Sequence, residues 1–173
     1  MAIRDIITYP HPVLRQVAES VTNLDGKIQA LIDDMAETMY SAPGVGLAAN
    51  QVGVPVQVIV MDASEKDRPR ELIAVINPLI VACEGKIVNE EGCLSLIDFR
   101  ADIGRYKRVT VKGLDRNGTP IELDKEGLPA VVLQHEIDHL NGILLIDRVS
   151  RLKRELYIRR LKKVLMKQAS RTR

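Results

Sequence analysis

The sequence predicts an α+β fold, and three observations support that reading. Apolar residues recur at helical spacing near both ends of the chain. Residues 72–123 break into short β-branched runs separated by turn signals, and an H-E-x-x-H string lies in a third helical stretch just after them. A chain of 173 residues can bury a core as one domain, and nothing requires a second.

The chain opens with Tyr9-Pro10-His11-Pro12, which cannot be regular helix because each Pro biases the residue before it toward extended geometry. It reads as a rigid entry loop. His11 is the only His outside the later motif, so it is either a surface loop residue or a third metal ligand. Ile28, Leu31, Ile32, Met35 and Met39 then follow the i, i+3, i+4, i+7 rule, with Asn23 or Asp25 available as a cap. This amphipathic helix is expected to end near Ser41-Ala42-Pro43-Gly44.

Gly44-Val45-Gly46-Leu47-Ala48-Ala49 matches the dinucleotide fingerprint only as a string. That fingerprint needs a strand before it and a helix after it, so that phosphates meet a helix N-terminus. Here a helix precedes, and the alternating run Val54-Pro55-Val56-Gln57-Val58-Ile59-Val60 follows as a predicted strand, so nucleotide binding is rejected. The Gly-rich segment, with Asn50-Gln51 beside it, can line a substrate cleft or be a plain turn.

Leu72-Ile73-Ala74-Val75-Ile76, Val109-Thr110-Val111-Lys112 and Pro120-Ile121-Glu122-Leu123 are the clearest strands, and Asp115-Arg116-Asn117-Gly118 is a hairpin signal. Antiparallel sheet is the economical arrangement. Of the two cysteines, Cys83 in an apolar run reads as packing. Cys93, in Glu91-Gly92-Cys93-Leu94-Ser95, is the better thiol candidate for chemistry.

The chemistry centres on His135-Glu136-Ile137-Asp138-His139. Four residues turn an α-helix by about 400°, which stacks two His roughly 6 Å apart along the axis and lets both reach one metal ion. Pro129 suits the first turn of such a helix, Ala130-Val131-Val132-Leu133 is an apolar run to be buried, and Gly142 offers a stop. Angle alone does not choose between Glu136 and Asp138; the motif and the longer reach favour Glu136 as the base acting on a metal-bound water. The bare string also suits two hydrogen-bonded His in an ordinary core helix. A catalytic site built on two His needs a third protein ligand, and Cys93 is the best candidate.

Ile143-Leu144-Leu145-Ile146 and a final helix from about Val149 complete the chain. Tyr157, Ile158, Leu161, Val164 and Leu165 form one stripe that packs, and the remaining face is basic. Residues 151–173 hold ten Lys or Arg against the single acid Glu155, a net of +9, so the other 150 residues carry −7 of the chain's +2. Such a tail is either a solvated face or a contact for nucleic acid or an anionic surface. With one Phe and no Trp, a base-stacking surface is disfavoured. No signal-like apolar region opens the chain and no run is long enough to span a bilayer, so a cytoplasmic protein with reduced thiols is expected.

Three segments taken together closely resemble the motifs of the peptide deformylase family: Gly44 to Gln51, Glu91 to Ser95, and Gln134 to His139. The resemblance runs from the Tyr9-Pro10-x-Pro12 entry to the His135 helix. It implies an α+β fold in which antiparallel sheets surround the central helix, with residues 1–150 as one catalytic domain and 151–173 as a basic helix packed on or extending from it. It implies Cys93, His135 and His139 as metal ligands, and Fe(II) as the native metal with nickel, cobalt or zinc as substitutes. It implies hydrolysis of the formyl group from N-formylmethionyl nascent peptides, with Glu136 moving the proton. The Gln51 amide and the Leu94 backbone N–H would stabilise the oxyanion. Gly46, Val45, Val131 and Arg100 would contact the substrate. The C-terminal basic helix is expected to dock on the ribosome, with no membrane and no sequence-specific nucleic acid as partner. Two departures stand out. Position 11 is His where the family mostly has Asp, and Leu96-Ile97-Asp98-Phe99 replaces an apolar residue followed by Pro, so the wall after Cys93 and the place of Arg100 are expected to differ.

Two other readings keep the H-E-x-x-H helix. One is a metallopeptidase whose third ligand is the downstream Asp147. The other is an RNA- or ribosome-binding module with a structural metal and a closed coordination sphere.

Overall fold

The computed structural model describes residues 2–64 and 68–171. Met1, and Thr172 and Arg173 at the end of the predicted basic tail, lie outside the described residues. Helix α1 spans Gly26–Ser41, and its N-cap is Asp25, whose carboxylate accepts from the N–H groups of Lys27 and Ile28 at 2.9 and 3.1 Å. A cap of this kind contributes about 1 kcal/mol. Strands β1 (Gly46–Ala48), β2 (Val58–Met61), β3 (Ile73–Glu84), β6 (Arg108–Leu114) and β7 (Pro120–Glu126) form one antiparallel sheet in the order β1-β2-β3-β6-β7. Strands β4 (Ile87–Gly92) and β5 (Arg100–Arg105) form a separate antiparallel pair. Helix α2 (Leu128–Leu140) carries the two motif His, and α3 (Arg151–Arg171) ends the chain.

The alternation of side chains along β2 explains the layering. Val58 and Val60 face the apolar stripe of α1 (Leu31, Ile32, Met35, Met39), whereas Ile59 and Met61 join Ala130, Leu133, Ile137 and Leu140 of α2. The large sheet is therefore covered by α1 on one face and α2 on the other. The opposite side of α2 meets β4 and β5 through hydrogen-bonded polar side chains, so α2 lies between the two sheets. A third cluster packs Leu96, Phe99, Ala101 and Ile103 against Tyr157 and Leu161 of α3.

Three sequence expectations need correction. The predicted strand from Val54 begins only at Val58, because Pro55 has no N–H for a ladder and Val56 makes a single bridge to Glu19. The strand from Leu72 runs much further than Ile76, with register shifts around Asn77 and Pro78. The Asn77 side chain accepts from the N–H of Val21 and donates to its carbonyl, and this stabilises a φ of +52°. Cys83, read as packing, is exposed in the outer half of β3, where residues 81–84 are all exposed. Among the described residues no helix is long and apolar enough to cross a membrane.

Candidate metal centre and cleft

Pro129 stands in the first turn of α2, which brings Glu136 and His139 into the interior at 4% and 1% exposure and leaves His135 partly buried beside them. The two His rings stand 5.0 Å apart. Cys93, in the loop after β4, puts its Sγ 3.2 Å from Nε2 of His139. Ligand atoms of Cys93, His135 and His139 all lie within 4.8 Å of one another, a separation one ion can bridge. Among the described residues the buried Nδ1 of His139 has no partner, and burial pushes this imidazole well below its ordinary pKa, toward the neutral form that binds metal. A thiol and two imidazoles form a donor set suited to a first-row transition ion and leave a position open for water or substrate.

His135 is oriented from behind. Its Nδ1 lies 2.9 Å from Oε2 of Glu91, and both oxygens of that carboxylate accept from Arg105, at 2.8 and 3.0 Å. Burial would raise the Glu91 carboxyl, but its pairs with His135 and Arg105 outweigh this and hold it below its ordinary value. An ionised Glu91 makes Nδ1 of His135 the donor and leaves Nε2 for an ion. Arg105 also binds Asp138, which takes a second guanidinium from Arg148. Asp138, the acid that competed with Glu136 in the sequence, is thus engaged in ion pairs. Arg105 is the residue that motif reasoning missed. Its signal was register: Ala101, Ile103 and Arg105 alternate along β5 and all three point inward.

Glu136 has one buried oxygen without a partner among the described residues, and burial pushes its pKa up to about 7. Gly46 of β1 faces this carboxylate so closely that a Cβ there would overlap it and Val132. The Gln51 side chain is fixed by a hydrogen bond from the Ala48 N–H to its Oε1 at 2.8 Å. Its amide nitrogen donates to Ser95 Oγ at 3.1 Å and lies 3.8 Å from Cys93 Sγ. Among the described residues the Leu94 N–H finds no acceptor. A cleft of about 910 Å³ opens over these groups, and Val45, Gly46, Leu94 and Val131 line it. Arg100 stands exposed at its rim, 3.8 Å from the carboxylate of Glu90.

The rival ligands are elsewhere. The exposed His11 caps a short 3-10 turn (Pro12–Arg15), accepting from the Val13 N–H at Nδ1. Asp147 accepts from the Leu144 N–H and pairs with Arg15 and Arg154, away from the His pair.

Two His and a Glu on one buried helix, facing a thiol from a separate loop across an open cleft, define a metal-dependent hydrolase. The family model described as polypeptide deformylase matches residues 3–155, and the chain belongs to that family. It is 53% identical over 164 residues to the peptide deformylase of Desulfosudis oleivorans, covering 94% of this chain and 95% of that one. The crystal structure of a peptide deformylase from Legionella pneumophila superposes with a TM-score of 0.89 at 46% identity, covering 97% and 98% of the two chains. That of Acinetobacter baumannii, with Met-Ala-Ser bound, gives 0.81 at 32% identity, covering 86% and 99%.

Proposed function

We propose that this chain hydrolyses the formyl group from the N-terminus of N-formylmethionyl nascent peptides, releasing formate. The observation that supports it best is the orphaned Glu136 carboxylate, held between Gly46 and the Cys93, His135 and His139 cluster at the cleft. A divalent ion held by those three residues would act as a Lewis acid and lower the pKa of a coordinated water. With a pKa near neutrality, Glu136 is suited to accept a proton from water and pass it to the methionine amine as the formyl C–N bond breaks. The Gln51 amide and the Leu94 N–H supply donors for the charge that grows on the formyl oxygen. Val45 and Val131 offer apolar wall for the methionine side chain, the Gly46 backbone a strand edge for the peptide, and Arg100 a charged rim. The relative from Acinetobacter baumannii has bound Met-Ala-Ser, a peptide that begins with methionine.

The metal in this reading is Fe(II), with nickel, cobalt and zinc able to substitute, since thiolate and imidazole donors accept all four. Formate release from a formylmethionyl tripeptide, by protein loaded with Fe(II) without air, tests the assignment beside Glu136→Ala at matched metal content. Release that falls by about 10²-fold or more in the variant supports it. No release by the folded, loaded parent refutes it.

Residues 1–150 form the catalytic domain in this reading, and the basic face of α3 is a ribosome contact in the cytoplasm. Arg159, Lys162 and Lys163 are exposed there. Replacing these three with Ala is expected to weaken ribosome binding and flatten its salt dependence while sparing turnover of tripeptides. Unchanged ribosome affinity would rule this contact out.

A further inference from the structure

One wall of the cleft is formed by residues 94–99, between Cys93 and the start of β5 at Arg100, and among the described residues it belongs to neither sheet. Within it, the Leu96 N–H donates to the Cys93 carbonyl at 3.0 Å and the Phe99 N–H to the Leu96 carbonyl at 3.4 Å. Asp98 sits in the left-handed region at φ +50°, which an L-residue other than Asn or Asp seldom adopts. A segment with so few internal bonds samples other shapes unless its neighbours fix it. Its first half has anchors of its own, since the Ser95 carbonyl accepts from the Tyr9 N–H at 2.9 Å and its hydroxyl from Gln51. Leu96, Asp98 and Phe99, which line the cleft, are fixed by a different element, whereas Arg100 beside them is paired with Gly92 in the small sheet.

That element is α3. The Tyr157 ring lies 4.7 Å from the Phe99 ring at an interplanar angle of 59°, within the cluster that contains Leu96 and Leu161. One turn further along, the Arg160 guanidinium donates to the Asp98 carbonyl, at the point where the backbone enters the left-handed region. Among the described residues the buried Tyr157 hydroxyl has no hydrogen-bond partner, so this side chain acts through shape. We propose that Tyr157 and Arg160 are positioning residues for the substrate cleft: α3 sets the wall from Leu96 to Phe99 and thereby the affinity for the peptide. A wall fixed before binding spares the substrate the cost of ordering it. Glu136, His135 and His139 stand on α2, and of the candidate ligands it is Cys93 that packs against the Tyr157 cluster, so the effect is expected on affinity, with metal content reporting on Cys93.

The proposal takes its substrate from the deformylase reading, and the test separates the two. Tyr157→Ala, Tyr157→Phe and Arg160→Ala are compared with the parent as full chains at equal metal content, on a formylmethionyl tripeptide. Tyr157→Ala and Arg160→Ala are expected to raise KM about fivefold or more with kcat within about twofold of the parent, and Tyr157→Phe to behave as the parent. Hydrogen exchange read in parallel needs no substrate: the amides of residues 97–99 are expected to exchange faster in both alanine variants, with α2 unchanged. Arg160→Ala removes one surface guanidinium and keeps the test open if Tyr157→Ala does not fold. Unchanged KM and unchanged exchange in Arg160→Ala would overturn the proposal. So would a fall in kcat or metal content at constant KM, which would place the influence of α3 on Cys93 instead. A parent without activity but with the expected exchange pattern would fault the deformylase reading alone.

Discussion

Nδ1 of His135 lies 2.9 Å from Oε2 of Glu91, and both oxygens of that carboxylate are held in turn by Nε and Nη2 on one edge of the Arg105 guanidinium. A carboxylate behind an imidazole fixes its tautomer and raises its basicity toward a metal. Glu91→Gln keeps the shape and removes the charge. It is expected to lower metal affinity about 10- to 100-fold, read by competition with a chelator, with the fold retained in circular dichroism. An affinity equal to the parent's would mean that Glu91 serves only to neutralise the buried Arg105.

Gly46 is required by space. Its φ is ordinary, but a Cβ would enter the volume of the Glu136 carboxylate and the Val132 side chain. Gly46→Ala is expected to cost about 1–3 kcal/mol in unfolding free energy, as overpacking does, and to lower kcat by displacing Glu136. Urea unfolding and tripeptide turnover check the two effects, and a variant with the parent's stability and kcat contradicts the packing argument.

Gln51 can present only its amide nitrogen to the cleft, because the Ala48 N–H occupies its Oε1 at 2.8 Å. Loss of a donor of this kind typically costs about 10²- to 10³-fold in kcat. Gln51→Ala is predicted to fall in that range, with a much smaller change in KM. A rise in KM at constant kcat would assign Gln51 to substrate binding instead.

Asp147 links the entry loop to the start of α3. Burial would raise its carboxyl, but hydrogen bonds from Arg15 and the Leu144 N–H, with the charges of Arg15 and Arg154, outweigh this and hold it below the ordinary value. A depressed folded-state pKa contributes stability that is full above the ordinary aspartate pKa of about 3.9 and is lost as pH falls through the folded value. Asp147→Asn is therefore expected to lower the urea midpoint at pH 7 and to flatten its decline toward acid. Parallel pH profiles for variant and parent would exclude this pair as a source of acid sensitivity.

Much of the architecture was legible because its causes are local. The spacing Ile28, Leu31, Ile32, Met35, Met39 and the Asp25 cap specify α1; Pro129 and the apolar run after it specify α2; the stripe from Tyr157 to Leu165 specifies the packed face of α3. Two His four residues apart must share a helix face, so half of the candidate metal centre follows from geometry within one element.

What the tertiary structure decided is everything that depends on contacts between distant segments. The motif helix by itself could use Cys93, His11 or Asp147, and only the fold brings the thiol within 3.2 Å of His139 while engaging His11 in a cap and Asp147 in ion pairs. Burial of Arg105 and exposure of Cys83 likewise depend on which face of a strand another layer covers, and a strand's own sequence states the alternation but not the cover. The packing of Tyr157 and Arg160 against the cleft wall spans about sixty residues of chain and leaves no local periodicity to read.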